Sequence, residues 1–169
     1  TAGAAVAFMN PGGLRADLIH GGAPGAPPRP ITYAEASSVL PFRNRIVVRS
    51  MTGKMIKEVL EEQFDNNTPE LDKILQVSRG FSYSYDRTAP RSRRVDPKSL
   101  TIDGQPVVPG QRYRVAMNEF IAAGGDNFSV FTRASGTETV GMDLDVFRAY
   151  LEAHKPVEPG SMNRITRLK

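Results

Sequence analysis

The chain has 169 residues, 40% of them hydrophobic, which is enough for a sizeable core and too few for more than one domain or two small ones. Its net charge of +4 suits a protein that handles anions but is too small an excess to mark a nucleic-acid binder, so no nucleic-acid partner is expected. The absence of cysteine excludes disulfides and thiolate chemistry, and no apolar run approaches the ~18 residues of a spanning helix, so no membrane span is expected.

The chain opens Thr1-Ala2-Gly3 without an initiator Met and enters an apolar run at once, which reads as a boundary inside a longer protein. Val6–Met9 has the character of a buried strand, and Asn10-Pro11-Gly12-Gly13 that of a turn. Residues 20–30 are almost all Gly, Ala and Pro, an exposed irregular loop. Thr32 with Glu35 three residues on is a capping-box pattern, and it starts a short helix over 33–39 that Leu40-Pro41 ends. Residues 44–51 alternate around Ile46, Val47 and Val48, a strand. Thr52 then caps a helix over 53–65, with Met55, Ile56, Val59, Leu60 and Phe64 at helical spacing.

Residues 75–85 form the next expected strand, with Phe81, Tyr83 and Tyr85 on one face. The dense basic cluster Arg87, Arg91, Arg93 and Arg94 around Pro90 reads as a solvated loop. Asp103-Gly104 is a hairpin signal joining 100–102 to 105–108. Residues 113–117 form a further strand, and 119–123 a short helix stopped by Gly124-Gly125. Leu144, Phe147, Tyr150 and Leu151 give a helix over 143–154, and 164–168 a terminal strand. Strands and helices mix without strict alternation, so the fold class is α+β with mixed sheets.

No self-sufficient catalytic site stands out. The two histidines, His20 and His154, lack metal-ligand spacing and read as surface residues. Nucleophile elbows, P-loops and Gly-x-Gly-x-x-Gly runs are absent. There remains a binding constellation in three pieces. In the first, 10–18, Gly12 and Gly13 permit positive φ and close backbone approach, Asn10 both donates and accepts, and the planar fork of Arg15 suits phosphate or carboxylate. A tight turn with a solvated arginine accounts for it equally well. The second, 39–45, puts Phe42 behind a Pro in a loop between helix and strand, where binding residues gather; Phe42 as a core residue is the competing reading. In the third, 118–128, Gly124 and Gly125 precede Asp126, which could accept from vicinal hydroxyls or simply serve as an N-cap for the next element.

Taken in order and spacing, Asn-x-Gly-Gly-Leu-Arg, then Leu-Pro-Phe, then Asn-x-Phe-x-Ala-x-Gly-Gly-Asp resemble the C-terminal domain of the 5'-nucleotidase family. That family includes UDP-sugar hydrolases, 2',3'-cyclic nucleotide phosphodiesterases and ecto-5'-nucleotidases. Ile31-Thr32-Tyr33, Met51-Thr52-Gly53 and Tyr85-Asp86 match as well, so the resemblance runs from about Val6 to Arg164. It implies a layered α/β/β/α arrangement in which residues 1–169 are the substrate-binding domain. A metallophosphoesterase domain outside this chain would carry two divalent metal ions and the catalytic His–Asp pair. No catalytic residue, metal or cofactor is then expected in this chain, which alone should be inactive.

The resemblance also implies roles. Phe42 and Phe120 would clamp the base of a nucleotide or nucleoside-diphosphate sugar, and Asp126 would accept from the ribose hydroxyls. Asn10 and Arg15 would face the phosphate side, Gly12 and Gly13 shaping their turn, while Gly124 and Gly125 would admit the sugar. A periplasmic or extracellular location follows from the family alone. The sequence departs from the pattern in a longer 20–30 loop, in Arg43 and Arg45 after Leu-Pro-Phe, and in Asn127, where Gly is common. Two other classes compete: a stand-alone or vestigial nucleotide-binding module, and a related hydrolase of thiosulfonate-type substrates, which would not need the aromatic pair.

Overall fold

A computed structural model describes residues 2–19, 29–64 and 72–169. Within them two sheets share one core. The first has five strands in the order β3-β1-β7-β2-β8: β1 is Val6–Met9, β2 Arg45–Thr52, β3 Gln76–Val77, β7 Arg112–Asn118 and β8 Ser135–Met142. The second has the order β6-β5-β4-β9: β4 is Phe81–Tyr85, β5 Thr101–Ile102, β6 Gln105–Pro106 and β9 Ile165–Arg167. Both sheets are mixed, since β1 runs parallel to β7 and β4 parallel to β9 while their other neighbours are antiparallel.

The helices form where local chemistry supports them. α1 (Tyr33–Val39) has the expected capping box: Thr32 accepts from the Glu35 amide, and Glu35 accepts from that of Thr32. α2 (Gly53–Glu62) is capped by the Thr52 side chain, which accepts from the Met55 amide. It buries Ile56, Val59 and Leu60 and ends at Glu62, short of the expected 65; residue 65 itself lies outside the described part. α3 (Glu119–Ala122) is a single turn, and α4 is Asp143–Ala153. The core joins the sheets through aromatic contacts. Phe8 of β1 meets Phe81 of β4 edge-on at 5.7 Å between centroids and Phe131 at 5.9 Å.

Three expectations change. The strand over 75–85 is really two, in different sheets, because Gly80 turns the chain at φ +93. A Cβ there would come within 2.3 Å of the Asp103 carboxylate, so the turn demands glycine. The arginine cluster is not simply solvated: Arg94 donates to the Phe64 carbonyl at 2.6 Å and Arg87 to Asp72 at 2.7 Å. Both guanidinium groups lie over the Phe64 ring, at 5.8 and 5.9 Å from its centroid. Finally, β8 was not anticipated. Most of the expected 20–30 loop, His20 included, falls outside the described residues.

The topology decides what converges. β1, β7 and β8 all run opposite to β2, so three strand C-termini and the start of β2 share one end of the sheet. Asn10, Asn118, Asp143 and the Phe42 turn all leave from that end.

Candidate functional site

Asn10 directly follows β1 and is 3% exposed. Its side-chain oxygen accepts from the Asn118 amide at 2.9 Å, and its own amide donates to the Asp126 carboxylate at 2.6 Å. The side chain is therefore engaged at both ends within the protein. Pro11–Gly13 form one 3-10 turn around it. Neither glycine takes a positive φ, and of the two only Gly13 is required by its size, since a Cβ at Gly12 would make ordinary contacts. A Cβ at Gly13 would lie 2.9 Å from both Asn10 Oδ1 and Met9 Sδ, and one at Gly12 would lie 3.9 Å from the Asp126 carboxylate. Arg15 is anchored by its amide to the Val39 carbonyl, and its guanidinium carbon lies 5.9 Å from the centre of the Phe42 ring. The first two pieces of the constellation thus meet through a cation–π contact.

Phe42 is 55% exposed, so it is not a core residue. It sits in the turn after Leu40-Pro41, followed by Arg43 at positive φ. Asp143 fixes that turn from α4: its carboxylate accepts from the Asn44 amide at 3.0 Å, and its amide donates to the Asn44 carbonyl at 2.8 Å. Glu119 ties the turn to the third piece by accepting from the Arg45 amide at 2.9 Å.

Phe120, on α3, is 46% exposed. Its ring rests on Gly125, where a Cβ would come within 2.6 Å of ring carbons. Gly124 ends α3 in the left-handed region at φ 89, and there the positive φ expected of a glycine does occur. Asp126 and Asn127 follow in the same region at φ 58 and 68. Such backbone is uncommon for residues other than glycine and gathers at binding sites. Asp126 does not cap a helix; the caps of the flanking 3-10 turns are Gly124 and Phe128. Its carboxylate is held instead by Asn10 and by Lys73, whose ammonium lies 3.3 Å from the second oxygen.

All nine site residues expected from the sequence therefore lie at one end of the five-stranded sheet, Phe120 on α3 and the others on the connecting turns. Lys73 was missed, because it comes from a segment 53 residues away with no motif of its own. Asn118 and Glu119 fall in the third piece but carry no role of their own there, and Asp143 is legible only as a helix residue. Among the described residues no three His, Cys, Asp or Glu side chains cluster to hold a metal ion, and no helix is long and apolar enough to cross a membrane. A cavity of about 1170 Å³ between α1, α4 and 155–159 includes none of these residues.

The family model described as "5'-nucleotidase, C-terminal domain" matches residues 1–133. The chain belongs to that family. It is 37% identical over 155 residues to the trifunctional nucleotide phosphoesterase protein YfkN of Bacillus subtilis, covering 89% of this chain and 10% of that protein. It is 36% identical over 150 residues to the cell wall protein Lmo0130 of Listeria monocytogenes, covering 88% of this chain and 18% of that one. The crystal structure of a 5'-nucleotidase precursor from Thermus thermophilus superposes with a TM-score of 0.74 at 35% identity, over 99% of this chain and 32% of that one. The chain thus spans a tenth to a third of the lengths of these relatives, and the two-sheet α+β fold is that of the 5'-nucleotidase C-terminal domain.

Proposed function

We propose that residues 1–169 are the substrate-recognition domain of a 5'-nucleotidase-type phosphohydrolase and hold the nucleoside part of a nucleotide or nucleoside-diphosphate sugar. The observation that carries this is the pair of exposed rings, Phe42 and Phe120, at the same sheet end as the oriented carboxylate of Asp126. A base stacked on such rings contributes about 1–3 kcal/mol. On this reading Arg15, beside Phe42, would meet an anionic group attached to the sugar. Asn10 acts on this reading through Asp126, since its own polar atoms are already engaged.

Hydrolysis would be the work of a metallophosphoesterase domain preceding this one in the full-length protein, with two divalent metal ions supplying the activated water. The residues of this chain would bind and orient the substrate. A periplasmic or extracellular location is supported by the cell wall protein among the relatives.

The test is a titration of the chain with adenosine, AMP and UDP-glucose, followed by NMR of the phenylalanine rings. Shifts confined to Phe42 and Phe120 at millimolar ligand are expected. Silence at both rings would leave a vestigial module. Turnover of AMP by the chain alone, persisting after chelation and repurification, would contradict the division of labour.

A further inference from the structure

We infer that Lys73 is the positioning residue that sets Asp126 to receive a vicinal diol, so that it governs preference for ribose over deoxygenated sugars. This rests on the base-and-ribose reading above and extends it to a residue outside the three motif pieces.

Three observations carry it. First, Lys73 holds Asp126 at two points: its ammonium lies 3.3 Å from the carboxylate Oδ1 and 3.3 Å from the backbone carbonyl of the same residue. Asp126 is left-handed, at φ 58 and ψ 19, a conformation that persists in a non-glycine residue only when its surroundings hold it. Second, Lys73 is itself anchored. Its amide donates to the Gln63 carbonyl at 3.1 Å, and Asp72 before it pairs with Arg87 at 2.7 Å in a nearly buried contact. Two residues on, the Leu75 amide donates to the Gln63 side chain at 2.7 Å. Third, the acceptor count fits. A carboxylate offers about four acceptor directions. Asn10 takes one on Oδ2 and Lys73 one on Oδ1, leaving a direction on each oxygen for a pair of adjacent hydroxyls.

The ion pair is partly buried, and the desolvation of its two charges offsets much of their attraction, so geometry is the main effect that Lys73 exerts. Substitution should therefore be read in the ligand, not in the melting point.

The experiment compares adenosine with 2',3'-dideoxyadenosine by calorimetric titration of the wild-type chain, Lys73→Met, Lys73→Arg and Phe42→Ala. Lys73→Met is expected to weaken adenosine about tenfold, the scale of a disturbed hydrogen bond to a charged group, and to change dideoxyadenosine less than about twofold. Lys73→Arg should recover most of the loss. Equal weakening of both ligands by Lys73→Met, or of neither, overturns the inference while Phe42→Ala, by weakening both, upholds the base clamp. If Phe42→Ala leaves both ligands unchanged, the nucleoside reading falls and the inference with it.

Discussion

Gly125 separates recognition from stability at a single residue. The three atoms nearest an added methyl all belong to the Phe120 ring, a half-exposed side chain rather than backbone. Gly125→Ala is therefore expected to leave the urea midpoint close to wild type and to weaken adenosine about fivefold or more as the stacking ring is displaced. A large loss of stability with unchanged binding would show that the ring takes no part in recognition. Asn10 behaves differently because it is buried. Asn10→Ala leaves the Asn118 amide only the weak Met9 sulfur acceptor at 3.4 Å and removes the 2.6 Å bond to Asp126. It should cost about 1–3 kcal/mol in denaturant unfolding, in addition to any loss of binding.

At the scale of elements, local signals were readable where backbone and side chain interact within a few residues. The Thr32–Glu35 box, the Thr52 cap and the Asp103-Gly104 turn, with both residues at positive φ, are such cases. β8 was not readable: Ser-Gly-Thr-Glu-Thr-Val-Gly-Met carries no apolar alternation, and the strand is defined by its pairing with β2 while its side chains stay largely exposed. The break at Gly80 was hidden because Leu75, Val77, Phe81 and Tyr83 alternate across it as one strand would, and only the turn separates the two sheets. The candidate site divides in the same way. Its motif residues lie in three local runs, whereas Lys73 and Asp143 reach it only through the tertiary fold.

β4 also carries a pH dependence. Tyr83 is buried, its hydroxyl donates to the Gln63 side chain at 3.2 Å, and burial pushes its phenol well above the ordinary 10.0. A raised folded pKa means that the stability Tyr83 confers is fully present below pH 10.0 and is lost as the pH rises above it. Tyr83→Phe should be less stable than wild type by about 1 kcal/mol near neutrality, from the lost hydrogen bond. The gap should narrow or reverse at about pH 11, where unfolding would release the wild-type proton. Urea midpoints of the two proteins across that range measure it, and a constant gap would show that the phenol is not shielded.

For the whole molecule, the sheets are coupled through one core while the site sits at the end of only one of them. Phe81 belongs to the four-stranded sheet but packs its ring against Phe8 of the other. Phe81→Ala should therefore cost about 3–5 kcal/mol, the range for a truncated buried phenylalanine. The loss should appear in hydrogen exchange of both sheets and not of the second alone. On the proposed function adenosine would be held by Phe42, Phe120 and Asp126, none of them in ring contact with Phe81, so its affinity in folded Phe81→Ala should remain within about twofold of wild type. A molecule that unfolds as a unit through this shared core should be protected in both sheets by saturating nucleoside, by about 2.7 kcal/mol at a hundredfold excess over Kd. Protection confined to the five-stranded sheet would mean that the two sheets unfold separately and that the common core does not bind them into one cooperative body.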